Sequence, residues 1–162
     1  MPLLLITLLG AALRFYGLGH QGFWYDEAYT VRLMKLPFGQ MLGALGHQES
    51  TPPLYYCLAW LWTRAFGPGQ AGLRSLSATC GTAVIPVAYL TARRCLHDRR
   101  AALIVAALTA FNPLLIWYSQ EARAYQLLVL VSACSLLAFA HARERPRAWP
   151  LALWTLTAVA SL

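Results

Sequence analysis

The sequence has few charged residues and very few acidic ones. Only six of its 162 residues are Asp or Glu, 13 are Lys or Arg, and charged residues make up 12% of the chain. About one quarter of a soluble domain is charged, so this composition excludes an ordinary soluble globular protein. Hydrophobic residues make up 59% of the chain instead, and the mean hydropathy is +0.50. The sequence therefore predicts an integral membrane protein.

Paired cysteines and clustered histidines are also absent. The four cysteines have no paired spacing, and all but Cys95 lie within apolar runs, so neither a disulfide nor a metal site is indicated. The four histidines show no ligand spacing either, and we expect no metal and no cofactor. The basic residues gather between the apolar runs, which is typical of the positive-inside rule and not of nucleic-acid binding.

Long apolar runs dominate the chain. They lack the alternating pattern of a barrel, and backbone groups in lipid must be paired internally, so we expect transmembrane helices. The predicted spans are residues 2–18, 73–92, 101–118, 122–142 and 149–162, of which the first four approach or reach the required ~20 residues. The first run could be a signal peptide, although no basic residue precedes it and no small-residue cleavage site follows. Because the last run lacks a cap or flanking charge, we expect 1–162 to be the N-terminal part of a single, longer transmembrane domain.

The apolar stretch 54–66 determines the predicted topology. Its 13 residues would form a helix of about 20 Å, which is short for a span. If it lies in the interface, the Arg-rich joints 93–100 and 143–147 both face the cytoplasm. Asp26 and residues 119–125 then share the outer face. If 54–66 spans instead, the two joints lie on opposite sides, and 119–125 lies opposite Asp26. We favour the interfacial arrangement.

Two adjacent acids, Asp26 and Glu27, lie in the outer loop predicted for residues 20–66, framed by Trp24 and Tyr25. They could simply be solvated, or could begin a helix whose dipole favours acids, which suits Glu27 better than Asp26. A positioned carboxylate can also accept a proton in a transition state. With so few acids in the chain, the pair is a candidate for catalysis.

A second cluster begins with Thr51, Pro52 and Pro53. Thr51 is a plausible N-cap, and the prolines suit the first turn of a helix, so the segment could only open an interfacial helix. The tyrosines that follow, including Tyr55, would then point into the outer crevice.

A third cluster follows Pro113, which is expected to break or kink the run 101–118 near its end. It contains Glu121, Arg123 and Tyr125 between two predicted spans. Ionisable groups at such a depth are costly and commonly functional. An internal Glu–Arg pair tying the loop explains the cluster equally well. The functional alternative gives Arg123 a phosphate, because a guanidinium fork matches phosphate geometry.

Arg14 and Arg74 lie near the ends of apolar runs. Their long side chains could snorkel to the interface, so the sequence assigns them no role.

Taken in order, these segments resemble the membrane glycosyltransferases of the GT-C type, in particular glycosyltransferase family 39. That family includes the dolichyl-phosphate-mannose–protein mannosyltransferases and the aminoarabinose lipid A transferases. Each segment is a weak signal alone, but their order over nearly the whole chain is fairly specific. The matching residues are Leu13–Leu18, Trp24–Ala28, Thr51–Tyr56, Leu73-Arg74, Asn112-Pro113 and Tyr118–Tyr125.

The resemblance implies an all-α, polytopic GT-C-like membrane protein with juxtamembrane helices in its outer loop. Such an enzyme takes a sugar, mannose or another hexose, from a polyprenyl-phosphate donor and passes it with inversion to a protein, lipid or glycan acceptor. The implied location is the bacterial plasma membrane, with the active site on the extracytoplasmic face. Family members often have His where this chain has Thr51, which puts any histidine-dependent step in doubt.

The resemblance also assigns roles to residues. Asp26 occupies the catalytic acidic position of the family, as the general base. Glu27 would orient Arg123 or the acceptor, and Arg123 would hold the donor phosphate. Further substrate-binding side chains are expected at one acid and four aromatic residues, namely Glu121, Tyr125, Trp24, Tyr25 and Tyr55.

Two other functions compete with this one. In a fragment of a transporter, Asp26, Glu27 and Glu121 would line an ion pathway, but such groups belong near the middle of spans, and here they lie at the ends. The chain could also be an inactive, truncated membrane protein.

Overall fold

The computed structural model of the protein describes residues 1–48, 53–144 and 152–157, and all regular structure among them is helical. The predicted cap Thr51 and most of the predicted span 149–162 lie outside the described residues. The helices are α1 (Pro2–Phe15), α2 (Tyr25–Met34), α3 (Phe38–Gln48), α4 (Pro53–Phe66), α5 (Gln70–Leu96), α6 (Arg99–Phe111), α7 (Pro113–Ser119) and α8 (Tyr125–Glu144). The all-α class predicted from the sequence is confirmed.

The long helix α5 is the axis of the bundle, and α1, α6 and α8 pack along it. Arg74, near the start of α5, bonds to the carbonyl of Leu18, whereas Ile85, further along, faces Gly10. Helix α1 therefore runs antiparallel to α5. Ser77 near the start of α5 bonds to the Arg123 carbonyl just before α8, so α8 runs parallel to α5. In the described part of the chain, α1, α5, the bent pair α6–α7 and α8 thus lie along the bundle, and α2–α4 lie at the end where α5 begins.

Among the described residues, two helices, α5 and α8, are long and apolar enough to cross a membrane. Helices α6 and α7 together could form a third span, bent by 53° at the break between them. This is the break predicted at Pro113, and Asn112 ends one helix and caps the next by accepting from Leu115 N–H at 3.1 Å. Helix α1 has 14 residues, about 21 Å of helix. Whether residues 2–18 form a span therefore stays a prediction.

Arg14 compensates for the break between α6 and α7. Pro113 has no N–H, so the Thr109 carbonyl four residues earlier lacks its helical partner. The Arg14 guanidinium is fully buried and donates to the carbonyls of Thr109 at 3.0 Å and Ala110 at 2.8 Å, besides Gly10 in its own helix at 2.9 Å. The Arg14 side chain therefore does not snorkel outward, because protein encloses it.

Helices α2 and α4 pack against the first part of α5. Trp60 of α4 donates from Nε1 to the Leu36 carbonyl just after α2, and Trp62 donates to Ser75 of α5, each at 2.9 Å. Buried apolar side chains of α2–α5, including Met34 and Leu73, form one core cluster between these helices. The predicted interfacial position of α4 is not tested by these contacts and stays a prediction.

Gly81 lies where α5 passes Arg14, Ser119 and Gln126. A Cβ at this position would overlap Ser119 Oγ and lie 3.1 Å from both Arg14 Nε and Gln126 Oε1. These three neighbours are all fully buried, so they have little room to withdraw. Close packing of α5 against α1, α7 and α8 therefore requires a residue without a side chain at position 81.

We expect Gly81→Ala to lower the stability of the protein by about 1–3 kcal/mol, the usual cost of overpacking. Gly43→Ala in α3 is the matched control, since nothing lies within 4 Å of its added Cβ. Alanine should gain up to about 1 kcal/mol there from helix propensity. Thermal unfolding midpoints of the two variants in detergent provide the measurement. Equal midpoints would show that the Gly81 contact is not a tight one.

Candidate functional site

A buried ion pair between Glu27 and Arg74 joins α2 to α5. Arg74 donates from Nη2 to Glu27 Oε2 at 2.6 Å and from Nε to Glu27 Oε1 at 2.9 Å. The two side chains are only 2% and 4% exposed. This fork geometry is the strong, bidentate form of an arginine–carboxylate pair.

Every donor and acceptor of this pair is used. The three remaining Arg74 N–H groups donate to the carbonyls of Leu18, Gln21 and Gly22, at 2.9 to 3.0 Å. A guanidinium has five donors, and all five are therefore bonded. The pair thus ties the loop between α1 and α2 to α5 with no unsatisfied group.

The Glu27 carboxylate also accepts two backbone N–H groups. Ala122 N–H donates to Oε1 at 2.7 Å, and Trp24 N–H donates to Oε2 at 3.1 Å. Burial alone would raise the pKa of Glu27, but the hydrogen bonds from Arg74, Ala122 and Trp24 outweigh it and hold the pKa below its usual value. Glu27 is therefore ionised at neutral pH. It joins α2, α5 and the loop before α8 at one point.

These contacts bear on two interpretations of the sequence. Glu27 was expected to orient Arg123 or the acceptor, and in the structure its carboxylate is paired with Arg74. Arg74 could have snorkelled to the interface, whereas it is 3% exposed and fully bonded. Sequence reasoning missed a usable signal here. An arginine inside an apolar run commonly pairs with an acid or with backbone carbonyls, and this chain offers only six acids.

Asp26, the residue before Glu27, points away from this buried pair. It is exposed, and so are Trp24 and Tyr25, at 57% and 92%. The flanking rings therefore do not bury the Asp26 carboxylate. All three side chains are accessible at the first turn of α2.

The loop between α7 and α8 is held against both α1 and α2. The Gln120 amide donates to the carbonyls of Leu13 and Tyr16, each at 3.0 Å, and caps the end of α1. Ala122 bonds to Glu27 as described, and Ser77 Oγ donates to the Arg123 carbonyl at 3.3 Å. The structure thus brings residues 120–123 to the start of α2, which is the neighbourhood that the interfacial arrangement predicts.

The side chains of this loop are partly accessible. Glu121 accepts from Trp117 Nε1 at 2.8 Å, and partial burial raises the pKa of its carboxyl group. Arg123 is half-buried. The ring of Tyr125, which is 42% exposed, lies 5.0 Å from that of Tyr118. These residues can contact a ligand at the same end of the bundle as Asp26.

Tyr55 was predicted to offer a flat face to a sugar. Its side chain is 2% exposed and belongs to the core cluster between α2, α4 and α5. No hydrogen-bond partner of its hydroxyl lies among the described residues. This burial contradicts a sugar-stacking role for Tyr55, which is a packing residue here.

An open cleft of about 590 Å³ adjoins the buried pair, between the loop after α1 and the start of α5. Its walls include Phe15, His20, Phe66 and Ser75. Because the Leu18 carbonyl that Arg74 binds belongs to the same loop, the ion pair also shapes this cleft. Among the described residues, no three His, Cys, Asp or Glu side chains are grouped as metal ligands.

Comparison with known protein families identifies a match. A family model described as dolichyl-phosphate-mannose-protein mannosyltransferase matches residues 50–162. The matched part contains Arg74 and the loop 120–124, and it begins after Asp26 and Glu27. No curated protein and no solved structure was found to match the chain.

Proposed function

Because the chain belongs to the dolichyl-phosphate-mannose–protein mannosyltransferase family of GT-C glycosyltransferases, we propose that it transfers a hexose from a polyprenyl-phosphate carrier to an acceptor hydroxyl. Transfer takes place at the bundle end where α2 meets the loop 120–124. The observation that carries this proposal is the contact of Glu27 with both Arg74 and Ala122. It fixes Asp26 beside the segment that the family match covers.

The exposed carboxylate of Asp26 is the general base in this proposal. Glu27 cannot serve, because its two oxygens already accept four hydrogen bonds and its charge is paired with Arg74. The Asp26 side chain is accessible instead. Its backbone is held in place because the next residue, Glu27, is paired with Arg74. One buried acid thus positions a neighbouring acid that can meet a substrate.

The proposed reaction is a single displacement. The acceptor oxygen attacks the anomeric carbon while Asp26 takes its proton, and the bond from that carbon to the phosphate oxygen breaks on the opposite face. The sugar configuration inverts, and polyprenyl phosphate leaves. General-base assistance contributes roughly 10²–10⁴-fold, and alignment of the two reactants can contribute about 7–11 kcal/mol.

The other side chains at this end have supporting roles in the proposal. Arg123 stabilises the charge that develops on the leaving phosphate, through the fork geometry of its guanidinium. Trp24 and Tyr25 present exposed ring faces to the sugar, and Glu121 and Tyr125 line the donor side. In the proposed topology, this end faces away from the cytoplasm and the Arg-rich joints face inward.

The function can be tested with the full-length protein in membranes. Sugar transfer to the acceptor is measured with polyprenyl-phosphate mannose, with other polyprenyl-phosphate hexoses and with a nucleotide-linked sugar, and release of the matching leaving group, polyprenyl phosphate or nucleotide, is followed in each case. We expect release and inverted product from at least one polyprenyl-linked donor and none from the nucleotide sugar. Transfer from the nucleotide sugar alone would overturn the proposed donor class.

We expect Arg123→Ala to lower kcat/KM for the polyprenyl-linked donor by roughly 10- to 100-fold. A charge-assisted hydrogen bond contributes about 1.5–3 kcal/mol, and each 1.4 kcal/mol is tenfold. Arg32→Ala, which removes an exposed arginine on α2, is the matched control and should change the value little. An equal effect of both substitutions would remove Arg123 from the donor site.

A further inference from the structure

The Glu121 carboxylate has hydrogen-bonding capacity that the fold leaves unused. Its Oε1 accepts from Trp117 Nε1 at 2.8 Å, and this is the hydrogen bond that the carboxylate receives from the described residues. An ionised carboxylate has about four acceptor positions. The side chain is partly exposed. Glu121 is therefore held in one orientation and can still accept from a ligand.

Trp117 and two tyrosines present aromatic rings beside this carboxylate. The Trp117 side chain is 53% exposed, although its N–H is bonded to Glu121. Tyr118 and Tyr125 are 38% and 42% exposed, and their ring centres lie 5.0 Å apart. Three accessible rings thus flank the loop 120–124, which carries Glu121. The surface combines flat apolar faces with an oriented acceptor.

The simplest role of an exposed tryptophan near the end of a membrane helix is to anchor it at the interface. An anchor needs no ordered carboxylate, and Trp117 donates its N–H to one. Partial burial of Glu121 also makes its charge costly, which is why its pKa is raised. A costly charge that is oriented and still accessible points to ligand binding.

We propose that Glu121 selects the donor sugar by accepting a hydrogen bond from one of its hydroxyl groups, with Trp117 as the positioning residue that directs the carboxylate. A hexose has hydroxyl groups around its edge and C–H groups on its faces, which match an acceptor beside aromatic rings. A site built to bond a substrate hydroxyl rejects the analogue that lacks it, because its own polar group is left unpaired. The inference rests on the proposed function, since it concerns the sugar of the same polyprenyl-phosphate donor.

Deoxy donors test Glu121 in the full-length protein. The value of kcat/KM is measured for polyprenyl-phosphate mannose, or the hexose preferred over it, and for each monodeoxy analogue. We expect the wild type to discriminate against one analogue by roughly tenfold or more, the effect of a hydrogen bond to a charged group. Glu121→Leu, which cannot accept from a hydroxyl, should use that analogue and the parent donor about equally. Unchanged discrimination in Glu121→Leu would overturn the inference.

Trp117→Phe tests the positioning role, because it keeps a ring and removes the N–H that directs Glu121. It should reduce the same discrimination by roughly fivefold, the effect of one ordinary hydrogen bond. Trp60→Phe is the matched control, since it also removes one indole hydrogen bond, from Nε1 to the Leu36 carbonyl at 2.9 Å. It should lower stability and leave the discrimination unchanged. Equal discrimination in the two variants would show that Trp117 does not direct the carboxylate.

A binding measurement separates failure of this inference from failure of the proposed function. Each analogue displaces a labelled polyprenyl-phosphate hexose from the wild type and from Glu121→Leu, with no acceptor present. If only the wild type prefers the parent donor but no sugar is ever transferred, the proposed reaction is wrong and the sugar contact is supported. If sugar is transferred and both proteins discriminate equally, the reaction is supported and the sugar contact is wrong.

Discussion

We expect Arg74→Ala to destabilise the protein by about 3–5 kcal/mol, the usual cost of removing one partner of a buried ion pair. The substitution leaves the Glu27 carboxylate without its cation in a site where it is only 1% exposed. It also removes the donors that the carbonyls of Leu18, Gln21 and Gly22 now accept. A loss of this size lowers the thermal unfolding midpoint by on the order of 10 °C.

Two comparisons separate this effect from the loss of an arginine in general. Arg64→Ala removes an exposed arginine whose guanidinium lies 4.2 Å from the Trp60 ring centre, and should cost only about 0.5–1 kcal/mol. The double variant with Glu27→Leu and Arg74→Met leaves no buried charge unpaired, so it should cost less than its two single changes added together. If Arg74→Ala and Arg64→Ala give the same midpoint, the pair does not hold the bundle end together.

The helical architecture could be predicted because it follows from local properties of the sequence. The apolar runs at 73–92 and 122–142 contain most of α5 and α8, and the proline at 113 ends α6 where a missing N–H must end it. The proximity of residues 119–125 to the start of α2 was expected from the positions of the arginines. If both Arg-rich joints lie at one end of the bundle, the loop between them must lie at the other end.

The burial of individual side chains could not be predicted in the same way. Asp26 and Glu27 are adjacent on α2, so their exposure differs only by the rotation of one residue around the helix. The sequence alone does not show that the helix begins at Tyr25, so it does not predict which of the two acids faces α5. The same holds for Tyr55, which an interfacial helix could have turned either way and which the fold turns inward.

The two arginines show a second limit. The long methylene chain of arginine allows its guanidinium either to reach water or to remain buried in the protein. The hydrogen-bond acceptors within reach determine which of the two occurs. Arg74 remains inside because Glu27 and three carbonyls lie within reach, and Arg14 remains because the broken helix offers carbonyls at 109 and 110. Both partner sets come from segments distant in sequence, which no local pattern reports.

We expect Asp26→Asn to lower kcat for sugar transfer by roughly 10²–10⁴-fold, the contribution of a general base. The amide keeps the size of the side chain but cannot take the acceptor proton. Because Asp26 is exposed and its side chain does not belong to the Glu27–Arg74 pair, the free energy of unfolding should stay within about 0.5 kcal/mol of the wild-type value. The donor KM should also change little, since the lost interaction is made in the transition state.

Glu27→Gln provides the contrast that makes this result specific. It should lose activity and stability together, because it breaks the pair that positions Asp26. Asp26→Glu keeps a carboxylate at a shifted position and should retain part of the rate. Near wild-type turnover of Asp26→Asn would remove Asp26 as the base. Among the described residues, Glu121 is then the remaining acid at this end outside the buried pair, and Glu121→Gln would be the substitution that abolishes transfer.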